Sequence, residues 1–451
     1  MSKPSKDAMS ERGMAQVIPN RDGVESAPSG DRPRVLILNR SYWPDGEATG
    51  QLLTELTEDL AGRFEVTVIV GHPNTNPSGE TYRSIGTQMR HDVRILRVPH
   101  TRLPKHSLIC RAINFITFLF LAVVRGLFMR RQHVIVLESD PFLLALFGGL
   151  LRWRHRAKLV IYLQDIHPDL GVAIGRLKVN LLVKGLRRAL RRAYRAADCL
   201  IVPSDDMRRT LIAGGAPESV CQTIPNWIDT RRIRPADEPN GFRVREGIAP
   251  SQFVVMYSGN FGATQQIEYL LNAAERLREK TDLLFALVGG GSAERGLRKL
   301  ASDRQLKNVR FFPYQPKERL GESLSAADVH LISVHPRALD YLMPSKLYGI
   351  MAVGRPILAV IRPESELAEF IVNENIGTVI PPNDAEALAL AIEQARKSPG
   401  RLAEQGLRAR HLAEREYDRR IVTGRFADMV NELINNAASR PASVAVSMNH
   451  E

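Results

Sequence analysis

Cysteine is scarce in this 451-residue chain: Cys110, Cys199 and Cys221 are too few and too scattered for a disulfide framework or a cysteine metal site. They are expected as reduced thiols, the usual state in a cytosolic protein. Aromatic residues make up only 6% of the chain and do not interleave with its basic clusters, so the stacking platforms of a nucleic-acid binder are missing. No recognition-helix pattern replaces them, and nucleic acid is not expected as a partner. The opening stretch, MSKPSKDAMSERGMAQVIPNRDG, lacks an apolar core of signal-peptide length, so export is not expected. The strongest apolar segment, LICRAINFITFLFLAVVRGLF (108–128), is interrupted by Arg111 and Asn114 and closed by Arg125. Its unbroken run is about 10 residues where a span needs about 20, so it reads as a buried or interfacial helix, not a transmembrane anchor. No GxGxxG follows the first strand, which argues against a dinucleotide redox enzyme.

What is present is ordinary for a globular protein, with 44% apolar and 25% charged residues. The length suggests two domains. Residues 1–30 are rich in Ser, Pro, Gly and charge and are expected as a disordered tail, as are 439–451. Between them, short apolar runs alternate with helical patterns. RVLILN (34–39), EVTVIVG (65–71), HVIVLES (133–139), KLVIYLQD (158–165) and CLIVPSD (199–205) read as buried strands ending in polar residues. CQTIPNWID (221–229) closes this set before the linker RRIRPADEPNG, and the pattern restarts. FVVMYSGN (253–260), LLFALVGGG (283–291), VRFFPYQ (309–315), VHLISV (329–334) and RPILAVI (355–361) form the second set. The fold class is therefore α/β, with two Rossmann-like parallel-sheet domains at 31–235 and 236–415 facing across a cleft. A final helix at 416–438 is expected to pack back on the first domain.

The net charge of +13 is concentrated in the first domain, in Arg125, Arg130 and Arg131, in RWRHRAK (152–158) and in KGLRRALRRAYR (184–195). Basic amphipathic helices are drawn to acidic lipid, so an anionic membrane surface is the expected partner of this face. A merely solvated face is the alternative.

In open parallel sheets, ligands bind outside the carboxyl ends of the strands. Two glycine-bearing turns stand there in the second domain, Ser258-Gly259-Asn260-Phe261-Gly262 and Gly289-Gly290-Gly291. Glycine lets backbone N–H groups approach an anion closely, although such loops use glycine for other reasons too. A third element is more specific. Pro344 suits a first helical turn, Ser345 can cap, and Lys346 sets a cation beside free amides, together a diphosphate cradle.

The segment PSKLYGIMAVGRPI (344–357) resembles the donor-site motif of family 4 glycosyltransferases of the GT-B fold, and more narrowly the colanic-acid and O-antigen type of bacterial polysaccharide enzymes. SYWPDGEATGQLLTELTEDLAGRFEVTVIVGHPN, YLQDIHPD (162–169), VPSDDMRRTLIAGGAPESVCQTIPNWID (202–229), YSGNFGATQQIEYLLNAAERL (257–277) and IGTVIPPNDAEALALAIEQA (376–395) agree in order, so the resemblance spans about 34–430. It implies retaining, metal-independent transfer of a hexosyl or N-acetylhexosaminyl group from a nucleoside-diphosphate sugar. The acceptor would be a glycan or polyprenyl-linked oligosaccharide at the inner face of a membrane, and the enzyme cytoplasmic with no cofactor. No convincing DxD motif is present, in agreement. Donor contacts are expected from Gly259, Asn260, Phe261, Gly262, Gly289, Gly290, Tyr314, Pro344, Ser345 and Lys346. Lys346 would stabilise the leaving diphosphate. Gly46, Thr49 and Gly50 of the opposite loop would close over the phosphates and approach the acceptor.

The chain also departs from the pattern. Many relatives carry two glutamates here, the second just before the MAVGRP segment; Tyr341 and Gly349 occupy those positions. The basic pair common after the first strand of the second domain is missing too, with Asn260 and Gln265-Gln266 in that region. Asp340 is a neighbouring carboxylate that could serve the sugar. On the acceptor side, Asp140 could orient a hydroxyl, with strand capping as the alternative; Asp165 and His167 end the next strand, His167 in a structural turn. Two other readings are a nucleotide-sugar epimerase of the same architecture and a silent sugar-nucleotide-binding protein.

Overall fold

Strands that are apolar on both faces must be covered on both, and the chain does this twice. The computed structural model describes residues 32–74, 79–104 and 108–438; the two tails lie outside them. The first sheet contains β1 (Arg34–Leu38), β2 (Glu65–Val70), β3 (Gly86–Arg90), β4 (Val93–Arg97), β5 (Val134–Glu138), β6 (Lys158–Tyr162), β7 (Cys199–Val202) and β8 (Cys221–Thr223), in the order β3-β4-β2-β1-β5-β6-β7-β8. The second contains β9 (Phe253–Asn260), β10 (Leu283–Gly290), β11 (Val309–Phe312), β12 (Val329–Ser333), β13 (Ile357–Val360) and β14 (Gly377–Ile380), in the order β11-β10-β9-β12-β13-β14. Central strands such as β5 and β10 are buried along their whole length, as a doubly covered parallel sheet requires.

Each order reverses direction once, beside β1 in the first sheet and beside β9 in the second. These are the switch points where crossovers depart to opposite faces and leave a crevice at the strands' carboxyl ends. The crevice of the first sheet is flanked by Asn39-Arg40 and Ser139-Asp140, that of the second by Gly259-Asn260 and the segment after β12.

Three strands escape the sequence pattern. The pair β3–β4 is antiparallel and turns at His91 and Asp92, both with positive φ. β3 is largely exposed, so no alternation of apolar residues marks it. Edge strand β14 is likewise only half covered. CQTIPNWID contributes to the sheet only through Cys221–Thr223.

The helix following β1 is α1 (Ala48–Leu60). The apolar segment after β4 forms α2 (Leu108–Leu127), and α3 (Gly148–His155) follows β5. By length and composition Ile109–Leu127 could cross a bilayer. One face of it, including Phe118, Leu119, Ala122 and Val123, is nevertheless part of the first domain's core. The helix Arg419–Ala438 contributes Val422, Phe426, Met429 and Val430 to the core on the sheet's other side, Phe426 lying 5.6 Å from Tyr162. It is tied where the chain recrosses: Ile228 N–H donates to Tyr417 O, and Thr230 Oγ donates to Asp418 Oδ2 at 2.5 Å.

The domains also meet at a reciprocal cap. Asp206 N–H donates to Glu366 Oε2 at 2.9 Å, and Glu366 N–H donates to Asp206 Oδ2 at 3.0 Å. Each carboxylate thus satisfies an orphan amide at the start of the other domain's helix. Lys317 Nζ to Glu55 Oε1 at 2.7 Å and Ile166 N–H to Tyr341 O at 2.9 Å complete the junction.

Candidate active site

The carboxyl edge of the second sheet is built around close backbone approach. Gly259 and Gly289 are paired across β9 and β10 with φ of 134° and 135°. A Cβ at Gly289 would lie 2.0 Å from Gly259 O, so no other residue fits there. Gly290 O accepts from Phe261 N–H at 2.8 Å and from the Tyr314 hydroxyl at 2.9 Å. This places Tyr314 on the rim, and the neighbouring Lys317–Glu55 pair shows that the rim faces α1 of the first domain.

Lys346 begins the helix Lys346–Ala352. Its side chain runs back against Gly259, where a Cβ would meet Nζ at 3.4 Å, and Nζ lies 3.5 Å from the centre of the Tyr257 ring. The ammonium nitrogen is buried and has no hydrogen-bond partner. Desolvation pushes its pKa well below the usual lysine value. Attraction to the ring face offsets part of that cost. Tyr257 was not among the expected site residues; its place two positions before Gly259, on the same face of β9, was a signal of period 2.

Several expected contacts take a different form. Phe261 is fully buried, packed against Tyr257 and Phe311, and its N–H is spent on Gly290 O, so it serves the core and not the donor. Ser345 does not cap: it sits at φ −60° and ψ −22° with no side-chain bond, because its backbone is already helical. Pro344 lies one residue before this position, outside the first helical turn, and its carbonyl accepts from Leu347 N–H. Asn260 and Gly262 lie together beside Gln265.

Asp340 is held by Arg362 through two hydrogen bonds, at 2.7 and 3.2 Å. Arg362 too was missed, since the pair joins loops after different strands. Tyr341 packs at the domain junction, where its carbonyl receives Ile166 N–H. Gly349 is buried, and a Cβ there would meet Leu324 at 3.3 Å, so the helix cannot present a carboxylate from this position without displacing core. Gly349→Glu is expected to destabilise the protein by roughly 2–5 kcal/mol through a buried, unpaired carboxyl, with no gain in turnover. Denaturant titration beside an activity assay checks this, and a more active, equally stable variant would contradict it.

Across the cleft, Gly46 precedes α1, while Thr49 and Gly50, expected in a loop, lie in its first turn. A Cβ at Gly50 would sit tightly against Asp45 and Ser41, at 3.1 and 3.2 Å. Asp45 accepts from Ser41 Oγ and Asn74 N–H, and Gln51 donates to Gly46 O, so the loop is fixed in place. Asp140 pairs with Arg40 at 3.0 Å, and Arg40 also donates to Asn74. Burial raises the Asp140 pKa while Arg40 lowers it. Behind it, Glu138 is buried with both oxygens unpartnered; burial first and Asp140 second push its carboxyl well above the usual range. Asp165 is raised by burial, and the His167 ring lies 5.4 Å from that of Phe142. No group of three or more potential metal ligands occurs among the described residues.

Residues 48–227 match the glycosyl transferase 4-like domain, and residues 241–412 match the glycosyl transferases group 1 domain. The chain belongs to glycosyltransferase family 4. It is an enzyme of the transferase class with the GT-B fold. The transferase is 27% identical over 406 residues to the colanic acid biosynthesis glycosyl transferase WcaI of Escherichia coli, covering 87% of this chain and 98% of the relative. It is 28% identical to the glycosyltransferase WbjE of Pseudomonas aeruginosa, over 68% of this chain and 76% of that one. Among solved structures, sucrose-phosphate synthase of Thermosynechococcus elongatus aligns with a TM-score of 0.71 at 18% identity, over 90% of this chain and all of that one. Anabaena HepE in complex with UDP and glucose aligns at 0.68 and 16% identity, over 88% of this chain and 99% of that one.

Proposed function

We propose that the transferase moves a hexosyl or N-acetylhexosaminyl group, with retention of configuration, from a nucleoside-diphosphate sugar to a growing surface polysaccharide or lipid-linked oligosaccharide. The observation that carries this reading is Lys346, a buried amino group with no hydrogen-bond partner at a glycine-lined strand edge. A diphosphate supplies the missing partner. As the glycosidic bond to the donor breaks, negative charge grows on the departing phosphate, and a fixed ammonium stabilises that state more than the ground state. Backbone groups of Gly259 and Asn260 line the same edge, and Gly46, Thr49 and Gly50 approach from the opposite domain. Asp340, paired with Arg362, stands beside the donor segment, and Asp140 with Arg40 stands on the acceptor side. No resident metal or cofactor enters the scheme, and proton transfer can end on the departing phosphate itself.

A second component concerns place. The exposed stripe of α2 formed by Ile109, Ile113, Ile116 and Phe120, flanked by the arginines of the first domain, supports a cytoplasmic enzyme resting on the inner membrane face. Its other face is committed to the core, which favours lying on the surface over crossing it.

The test of the reaction is product analysis with a panel of nucleotide sugars and glycan acceptors, reading the anomeric configuration by NMR. An α-linked donor is expected to give an α-linked product; an inverted product would remove the retaining assignment. Interconversion of donors without acceptor would indicate an epimerase, and binding without transfer a silent protein.

A further inference from the structure

A cavity of about 670 Å³ opens at the amino ends of β5 and β6, the opposite end of the sheet from the transfer cleft. Its walls bring together Arg131, Arg152, Arg156 and Lys158 with Trp153 and Ile434. Arg152 and Lys158 share one carboxylate, Asp198, each at 3.3 Å. Among the described residues, neither Arg131 nor Arg156 forms an ion pair; Arg131 bonds only to the carbonyl of His155 through its side chain. Four cations thus converge with one compensating charge. Such a concentration is disfavoured in the absence of an anion, and guanidinium groups match phosphate oxygens in pairs.

The surroundings decide what kind of anion. Of the three tryptophans, Trp43 and Trp227 are buried while Trp153 is 75% exposed. Leu150, one helical turn before Trp153 in α3, is 44% exposed, and Phe128, just past α2, is 79% exposed. A soluble phosphate compound has no use for this apolar rim, whereas a lipid presents a phosphate with hydrocarbon beside it, and indole favours that boundary.

The topology extends the argument. Because β4 and β5 run parallel to one another through β2 and β1, α2 must run from the carboxyl ends back to the amino ends. Its 20 residues therefore span roughly 30 Å. The helix thus reaches from the acceptor side of the transfer cleft, where its exposed apolar stripe runs from Ile109 to Phe120, to the region of this cavity, where the Nε2 of His155 meets Gly126 O.

We infer that the cavity is a binding site for the phosphate headgroup of an anionic membrane lipid, pinning the far end of α2 so that the helix lies along the bilayer with its other end at the cleft. This rests on the membrane reading above.

The experiment uses the full chain and vesicles of phosphatidylglycerol in phosphatidylcholine. Wild type is expected to bind, with a blue shift of Trp153 emission that Trp153→Phe removes. Arg131→Gln/Arg156→Gln is expected to weaken vesicle binding at least tenfold, from about 1 kcal/mol for each basic residue at an acidic surface. Nucleotide-induced thermal stabilisation should stay as in wild type, which reports an intact fold and donor site. Arg188→Gln/Arg191→Gln, on the exposed basic face of the helix Leu181–Arg195, serves as the matched control. If both double variants lose binding equally, surface charge alone is at work and the cavity assignment is overturned. Wild-type binding by the first double variant overturns it as well, leaving the membrane reading intact. If wild type ignores anionic vesicles, the membrane reading itself fails; an emission change with inorganic phosphate alone would then assign the cavity to free phosphate.

Discussion

Replacing Lys346 by methionine is expected to raise the melting temperature of the ligand-free protein and to lower turnover roughly 100- to 1000-fold, the range seen when one fixed stabiliser of developing charge is removed. Methionine keeps the volume of the side chain but carries no charge to desolvate. The nitrogen it replaces is buried without a hydrogen-bond partner, so the folded protein loses no such bond and gives up only the contact with Tyr257. A lysine present for structure would behave in the opposite way, with lower stability and little change in rate.

The pH dependence follows with its sign. The folded pKa of Lys346 lies well below that of the unfolded chain, so between the two values the unfolded state binds more protons. Lys346 therefore lowers stability below its folded pKa, and that penalty is relieved as pH rises from there toward the ordinary lysine value. Donor diphosphate restores the charged form, so nucleotide binding above the folded pKa should take up a proton, and kcat/KM for the donor should fall as pH rises through it. Calorimetry in buffers of different ionisation enthalpy measures the uptake. No uptake, or a wild-type profile in Lys346→Met, removes Lys346 from the donor site.

Gly289→Ala is expected to abolish nucleotide-induced thermal stabilisation and to cost about 3 kcal/mol or more of stability. Backbone strain at its φ of 135° contributes roughly 1–3 kcal/mol, and the contact with Gly259 O adds to it. The overlap is with backbone, so no rotamer change can relieve it, and β9 and β10 must separate at the edge that carries Gly259 and Lys346. Gly296→Ala is the control: it lies inside the helix Glu294–Asp303 with open space around it and should be neutral or slightly stabilising. Nucleotide affinity within twofold of wild type in Gly289→Ala would count against a donor site at this edge.

Much of the architecture was legible in advance because buried parallel strands leave a plain signature. β5 and β12 are short apolar runs ending in polar residues, and the restart after residue 235 separated two sheets. β3 was not legible, since its exposed residues lack the apolar period and His91-Asp92 turns without the glycine that usually announces a tight hairpin. The site was legible as a set of segments and less so as roles. Phe261 sits in a glycine turn and reads like a ligand contact, yet its ring fills the core and its amide completes the turn. Ser345 has the right chemistry for a cap, but a hydroxyl caps only when its own backbone is extended, and here it is helical.

The sequence by itself determined the two-sheet α/β class, the family and the place of the helix that Lys346 begins, because these rest on local periodicity and on a contiguous motif. Only the tertiary structure decided that Lys346 lies unpaired over Tyr257, that Asp340 belongs to Arg362, and that Arg131 and Arg156 share a cavity far from the cleft. The physical reason is that a strand's period sets which face a residue takes but not which distant strand or loop stands opposite. In parallel sheets that neighbour arrives through a long crossover, and it sets each group's charge environment.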